Sequence, residues 1–353
     1  MAYRIYVGSY TNELTALQFD SGTSSLTILS SVTVGYHPSW LTPLPSDRTV
    51  IFTGLEQSDG KIVTVKYDEK GQALLLGTVP SGGADPCALL ADGDELLIGN
   101  YSSGILHVIP LKNGGSYLQP SNGTTILLSG TGPNKERQEG PHPHQVLRHP
   151  DRPEILVPDL GTDKVWRLTK DEQGIWTKAG FVEIKAGGGP RHAAVYNNVL
   201  YTVLELSSEV TAHRLPPLPE KPTLITTVPT MSKFPGDPEE LGMLCAEILL
   251  PKPNTSYPTP YLYASNRNDP SLEGDVIAIF SVADPEKLEL VAEVRSGLKH
   301  LRGMLFGGPD DRYLAAGGVL GGGVKVFERV DGGKGLKEVA SVELEAPTGF
   351  LWA

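Results

Sequence analysis

Arg191, His192 and Glu205 sit at the polar tips of two apolar runs in the segment 187–208, GGGPRHAAVYNNVLYTVLELSS. The runs, 192–195 and 199–204, read as two short strands joined by a tight turn at Asn197-Asn198. A strand that ends on a carboxylate, beside one that begins on a guanidinium and an imidazole, is costly to bury unless those groups are paired or used. A fixed guanidinium can hold an anion or take up charge on a carbonyl oxygen, and an imidazole or carboxylate can move a proton.

The same unit recurs along the chain. Apolar runs end at Ser9, Glu56, Asn100, Asp159, Glu205, Asn266 and Gly317, at a period of about fifty residues. Ahead of most of them lies a leading element, in 38–41, 86–89, 143–146, 190–193, 245–248 and 301–304. Behind several lie a third and a fourth alternating strand, as in 105–109, 276–280 and 339–344. Four antiparallel strands per period of this length make the blade of a β-propeller. Seven strand ends predict an all-β, seven-bladed propeller spanning 1–353 as a single domain. The first unit lacks a leading strand and the chain finishes on a spare one, 348–353, so the C-terminal strand is expected to close the ring inside the N-terminal blade. That pairing hides two sheet edges. Two insertions, 113–138 and 216–241, are polar and rich in Gly, Pro or Glu, and read as loops that either face solvent or wall or lid a pocket, with their low apolar content favouring solvent.

Composition agrees with frequent turns and few helices: 40 Gly and 29 Pro lie among many short Val, Ile, Leu and Tyr runs. A net charge of −11 without a basic block argues against nucleic acid and anionic membrane as partners. The N-terminus enters a strand directly and no run is long enough to span a bilayer, so a cytoplasmic protein is expected. Cys87 and Cys245 are too few for a disulfide framework and read as free thiols.

Inner strands of a propeller line its channel, so equivalent positions should form polar columns. One column holds Ser39, Cys87, His144, Arg191 and Arg302; the other holds Ser9, Glu56, Asn100, Asp159, Glu205 and Asn266, with Arg267 one place on. His192 and Glu247 join them as possible substrate contacts, although on a regular strand His192 points away from Arg191, as a packed histidine would. His142, His144 and His149 lack a carboxylate or cysteine partner at ligand spacing, so neither a metal nor another cofactor is expected. Trp40, Trp166, Trp176 and Trp352 read as blade packing, and His37 and His300 as caps of loops.

Six motifs in order, IYVGSYT near the N-terminus, NYSSG at Asn100, PHPHQ at 141–145, GGGPRH at 187–192, LELSS at 204–208 and YASNR at 263–267, together resemble the seven-bladed lactonase family. That family includes propeller-type 6-phosphogluconolactonases and fungal 3-carboxy-cis,cis-muconate lactonizing enzymes. The resemblance implies the same fold, a small lactone or carboxylate as substrate, and a catalytic set of His144, Arg191, Glu205 and Arg267, with Glu205 or His144 as base. Ser9, Glu56, Asn100, Asp159, His192, Glu247, Asn266 and Arg302 would contact substrate, Arg302 as a third anion contact. The chain departs from the family at Glu247-Ile248-Leu249, at Leu301-Arg302-Gly303 and at Gly317-Gly318. Three functions follow as expectations: lactone hydrolysis, muconate-type ring closure, or binding without catalysis.

Overall fold

The computed structural model describes residues 1–112 and 117–353. They form seven four-stranded antiparallel sheets. From the inner strand outward, blade 2 is Pro38–Leu44, Asp47–Leu55, Lys61–Tyr67 and Ala73–Pro80. Blade 3 is Pro86–Asp92, Glu95–Asn100, Ile105–Pro110 and Thr124–Leu127, and blade 4 is Leu147–Arg148, Ile155–Asp159, Lys164–Lys170 and Trp176–Glu183. Blade 5 is Pro190–Tyr196, Val199–Leu204, Glu209–Arg214 and Thr223–Pro229, and blade 6 is Leu244–Leu249, Tyr261–Arg267, Val276–Ser281 and Glu289–Arg295. Blade 7 is Lys299–Gly307, Tyr313–Gly321, Val324–Val330 and Gly335–Val342. Blade 1 joins Pro347–Trp352 to Ala2–Ser9, Glu13–Asp20 and Ser25–Thr33, with Tyr6 opposite Leu351. The expected C-terminal closure is therefore present. Among the described residues no helix is long and apolar enough to cross a membrane.

Apolar burial lies between blades. One cluster joins blades 1 and 2 through Tyr6, Leu14, Ile51 and Val63, and another joins blades 3 and 4 through Leu97, Leu106, Val157 and Trp166. Equivalent clusters fill each remaining interface around the ring. Because strand faces meet their neighbours there, stability does not require apolar side chains on the axis, and the inner strands are free to carry polar ones.

The two insertions differ from expectation. Thr124–Leu127 and Thr223–Pro229, read as loop, are the outer strands of blades 3 and 5, where pairing to Ile105–Pro110 and Glu209–Arg214 overrides local composition. Residues 113–116 of the first insertion lie outside the described residues. The inner strand of blade 4 is only two residues long because Pro141 and Pro143 remove ladder donors; a bridge from Pro143 to Asp159 extends it without regular pairing.

Candidate active site

Five inner strands are entered through a residue in the left-handed region: His37, Asp85, Gly189, His300 and Ala346. All five strands then skip one residue of the ladder, between Pro38 and Trp40, Pro86 and Ala88, Pro190 and His192, Leu301 and Gly303, and Pro347 and Gly349. The skipped residues are Ser39, Cys87, Arg191, Arg302 and Thr348. A bulge releases a residue from pairing and re-aims its side chain; of the first predicted column Cys87, His144 and Arg302 line a cavity, and Ser39 and Arg191 do not. Bulging also corrects the expectation for His192. The bulge at Arg191 breaks the alternation, and the His192 ring turns toward the axis, 5.2 Å from that of His144 and 5.3 Å from that of Trp40. Trp40 packs against the cluster between blades 2 and 3 and also edges the channel, and Trp166, Trp176 and Trp352 pack between blades.

The second column was read one residue out of register. Aligned on the start of the inner strand, Asn100 pairs with Pro86, Asn266 with Cys245 and Ser9 with Pro347, whereas Leu55 and Leu204 are the partners of Pro38 and Pro190. Glu56 and Glu205 are therefore one place further on, equivalent to Tyr10, Tyr101 and Arg267. A one-residue offset reverses the face on a strand. Accordingly Tyr10, Glu56, Tyr101, Glu205 and Arg267 line a cavity on the axis, and Ser9, Asn100, Asp159 and Asn266 do not. Those four brace blade corners instead. Asn100 bonds Ser81, Asn266 accepts from Thr230, and Ser9 donates to the Glu13 carbonyl. Asp159 accepts from His142 N, Thr162 Oγ1 and Trp166 Nε1 at 2.7–2.8 Å.

The cavity, about 270 Å³, is walled also by Asp85, Cys87, Ser102, Arg137, His144, Leu244 and Arg302. Its volume is near the ~300 Å³ lower end of small-molecule sites, suited to one sugar-sized ring. Glu205 organises one side. Its Oε2 lies 2.8 Å from Arg267 Nη2 and 2.9 Å from Arg191 Nε, and its Oε1 accepts from Arg137 Nη2 at 2.5 Å. Arg191 sits just beneath the wall, anchored on the Ala246 carbonyl at 2.6 Å, and Arg267 on that of Cys245 at 2.7 Å. Burial opposes the Glu205 charge, but Arg267, Arg191 and Arg137 outweigh it and hold the carboxyl far below the usual range. Glu205 and Arg191 form a salt bridge within a larger cluster joining two blades and a loop.

Arg137 comes from the first insertion, which walls the cavity as one of its two readings allowed, although solvent exposure was favoured. The residue itself was missed, because it stands outside the repeat. Tyr10 and Tyr101 were missed for the register error alone, since both follow a residue already assigned.

Opposite stand His144, Arg302 and Glu56. His144 is buried, and burial with the charge of Arg191 and the neighbouring His192 and Arg302 pushes its pKa well below the ordinary value, leaving a neutral imidazole. Among the described residues its buried Nδ1 has no hydrogen-bond partner. Glu56 accepts from Tyr10 Oη at 3.2 Å and from Ser39 Oγ. Arg302 lies over the Tyr10 ring, and the carboxylate nearest it, Glu56, is 3.9 Å away. It is the most loosely paired guanidinium of the four.

His192 and Glu247, expected to contact substrate, lie beneath the cavity instead. His192 Nδ1 pairs with Glu247 Oε1 at 2.6 Å, and Glu247 faces a second, mainly apolar chamber of about 230 Å³ with Trp40, Leu89, Ile248, Met304 and Phe350. His142 stacks on Tyr101, His149 contacts Arg152, His37 stacks on Tyr36, and His300 bonds Asn268. Among the described residues no three His, Cys, Asp or Glu side chains are grouped to hold a metal ion. Cys87 and Cys245 are both free and buried.

Comparison with known proteins agrees with this architecture. The profile of the family described as "Lactonase, 7-bladed beta-propeller" matches residues 4–352. A 6-phosphogluconolactonase of Bacillus subtilis is 28% identical over 80% of this chain and 78% of its own length. A protein of Arthroderma benhamiae named "Probable 6-phosphogluconolactonase" is 28% identical over 98% of this chain and 88% of its own. Among solved structures, one from Bacteroides fragilis, provisionally assigned as a 6-phosphogluconolactonase, superposes with a TM-score of 0.85 at 27% identity, covering 100% of this chain and 98% of the other. The periplasmic gluconolactonase of Pseudomonas aeruginosa has the same fold, with a TM-score of 0.83 at 22% identity over 100% of this chain and 99% of the other. With its seven closed blades and its match over nearly the whole length, this chain belongs to the seven-bladed β-propeller lactonase family.

Proposed function

We propose that this protein is a lactonase that hydrolyses a small sugar-derived lactone bearing an anionic group, 6-phosphogluconolactone or a close analogue, in the cavity above His144. The observation that carries the reading is a neutral imidazole beside a loosely paired guanidinium in the wall of one sugar-sized cavity. The names of the relatives point to the same substrate class.

In this mechanism His144 takes a proton from water as the water oxygen bonds to the lactone carbonyl carbon. Arg302 faces the oxygen that gains charge, where a fixed guanidinium is worth most in a site closed to water. The ring C–O bond then breaks, and the imidazolium returns its proton to the departing ring oxygen. Glu205 is not the base. Its two oxygens are occupied by three guanidiniums, and a carboxylate held so acidic accepts protons poorly. Its part is to hold Arg191 and Arg267 in place.

Muconate-type ring closure and binding without catalysis, both open from the sequence, gain no such support from the relatives named above. A pH-indicator assay with 6-phosphogluconolactone, gluconolactone and carboxymuconolactone tests the proposal. Hydrolysis of a sugar lactone, lost in His144→Gln by about 100-fold or more, is the expected result. No turnover of any of the three rejects it.

A further inference from the structure

Arg137 is the one cavity guanidinium that does not come from an inner or second strand. It stands on the loop between blades 3 and 4, and its backbone is held closely. Asn134 Oδ1 accepts from the backbone N–H groups of Glu136 and Arg137, both at 3.1 Å. The next residue, Gln138, is wholly buried and donates to Asp163 Oδ1 at 2.8 Å and to the Leu160 carbonyl at 2.9 Å. The loop backbone is thus fixed by Asn134 and Gln138, while the Arg137 side chain meets Glu205 and Tyr101.

Its side chain is 36% exposed, against 2% for Arg191 and 4% for Arg267. Arg137 alone occupies Glu205 Oε1, while Arg191 and Arg267 share Oε2. If Arg137 swings away, Glu205 keeps two cationic partners and remains compensated. The other two arginines are held as well by the Ala246 and Cys245 carbonyls.

We infer that Arg137 is a specificity-determining residue at the rim of the cavity, which exchanges Glu205 for the anionic group that the substrate carries at the end remote from its carbonyl. The inference rests on the proposed lactonase reading for the identity of the substrate. The group it fits is a phosphate monoester, since a planar guanidinium offers paired donors to such oxygens and this one is the most open to solvent of the three on Glu205.

The experiment compares a phosphorylated and an unphosphorylated partner in two formats. In the first, kcat/KM is measured for 6-phosphogluconolactone and gluconolactone with wild type, Arg137→Gln and Lys135→Ala. The ratio of the two values should fall about 30-fold in Arg137→Gln, the size of one charge-assisted contact, and stay within about 2-fold in Lys135→Ala, an exposed charge two residues away. In the second, calorimetry measures binding of the acids 6-phosphogluconate and gluconate to the same proteins. Arg137→Gln should weaken the phosphorylated acid selectively, by a similar factor. An unchanged ratio in Arg137→Gln, or an equal fall in Lys135→Ala, overturns the inference, as does failure of wild type to prefer the phosphorylated acid. If no lactone turns over while the selective binding change is seen, the rim site stands and the lactonase reading falls.

Discussion

Glu205 Oε2 and Arg267 Nη2 meet at 2.8 Å across the gap between blades 5 and 6, with both side chains almost wholly buried. Arg191 completes the same oxygen's environment from blade 5 itself. Removing the charge from the centre of such a group leaves guanidiniums buried without compensation, at a cost of about 3–5 kcal/mol. Glu205→Gln should therefore lower the urea midpoint sharply as well as reduce activity. Because the folded carboxyl is held below its ordinary value of 4.5, its stabilisation is complete above that pH and is lost as pH falls beneath it. The gap in stability between wild type and Glu205→Gln should accordingly narrow below pH 4.5; a gap independent of pH would show that the charge is not the cause.

His144 stays neutral because burial and the positive charge around it, from Arg191 and Arg302, disfavour the imidazolium. A base must be unprotonated to act, and a lowered pKa moves the acid limb of kcat/KM below pH 6.5. Activity should be level from pH 8 to 6.5 and fall only in more acidic buffer. His144→Gln should lose about 10²–10⁴-fold in kcat together with that limb. An acid limb retained in the variant would assign the base elsewhere, with Glu56 the next residue to replace.

Arg302 gives a contrast with the rim arginine. Set deep beside His144 and over Tyr10, it acts on the carbonyl that every substrate shares. Arg302→Gln should reduce kcat by roughly 10²–10³-fold for phosphorylated and unphosphorylated lactones alike. A change confined to KM for the phosphorylated lactone would instead make it the third anion contact that the sequence suggested.

Ring closure depends on a glycine. A Cβ at Gly303 would stand 1.7 Å from the Thr348 carbonyl oxygen, where blade 7 meets the closing strand Pro347–Trp352. Both sides of that contact are backbone, so relief requires the strands to part. Gly303→Ala should destabilise by about 3 kcal/mol, the upper range for overpacking, whereas Gly140→Ala, with open space around it, should leave the melting temperature within a degree or two. Equal melting temperatures for the two variants would show that the closure yields.

Much of this was legible in the chain itself. A fifty-residue period with apolar alternation specifies four-stranded blades, and the spare C-terminal strand specifies closure, because strand pairing and face burial are read from period-two patterns. The first polar column was legible too, since Ser39, Cys87, Arg191 and Arg302 each stand at the same step of a recurring element. Register was not. Asn100 and Glu205 end similar apolar runs, yet only the pairing of Asn100 with Pro86, and of Leu204 with Pro190, shows that they are one residue apart and so face opposite ways. Nor were the bulges legible, and with them the turn of His192 toward the axis, because a bulge belongs to two strands together. Arg137 reaches Glu205 over a sequence separation of 68 residues from a loop with no counterpart in the repeat. The sequence by itself determined the blades, their number and which side chains were polar. Tertiary structure alone decided which of those side chains share the cavity, because one residue of register or one loop crossing reverses that outcome without changing the pattern along the chain.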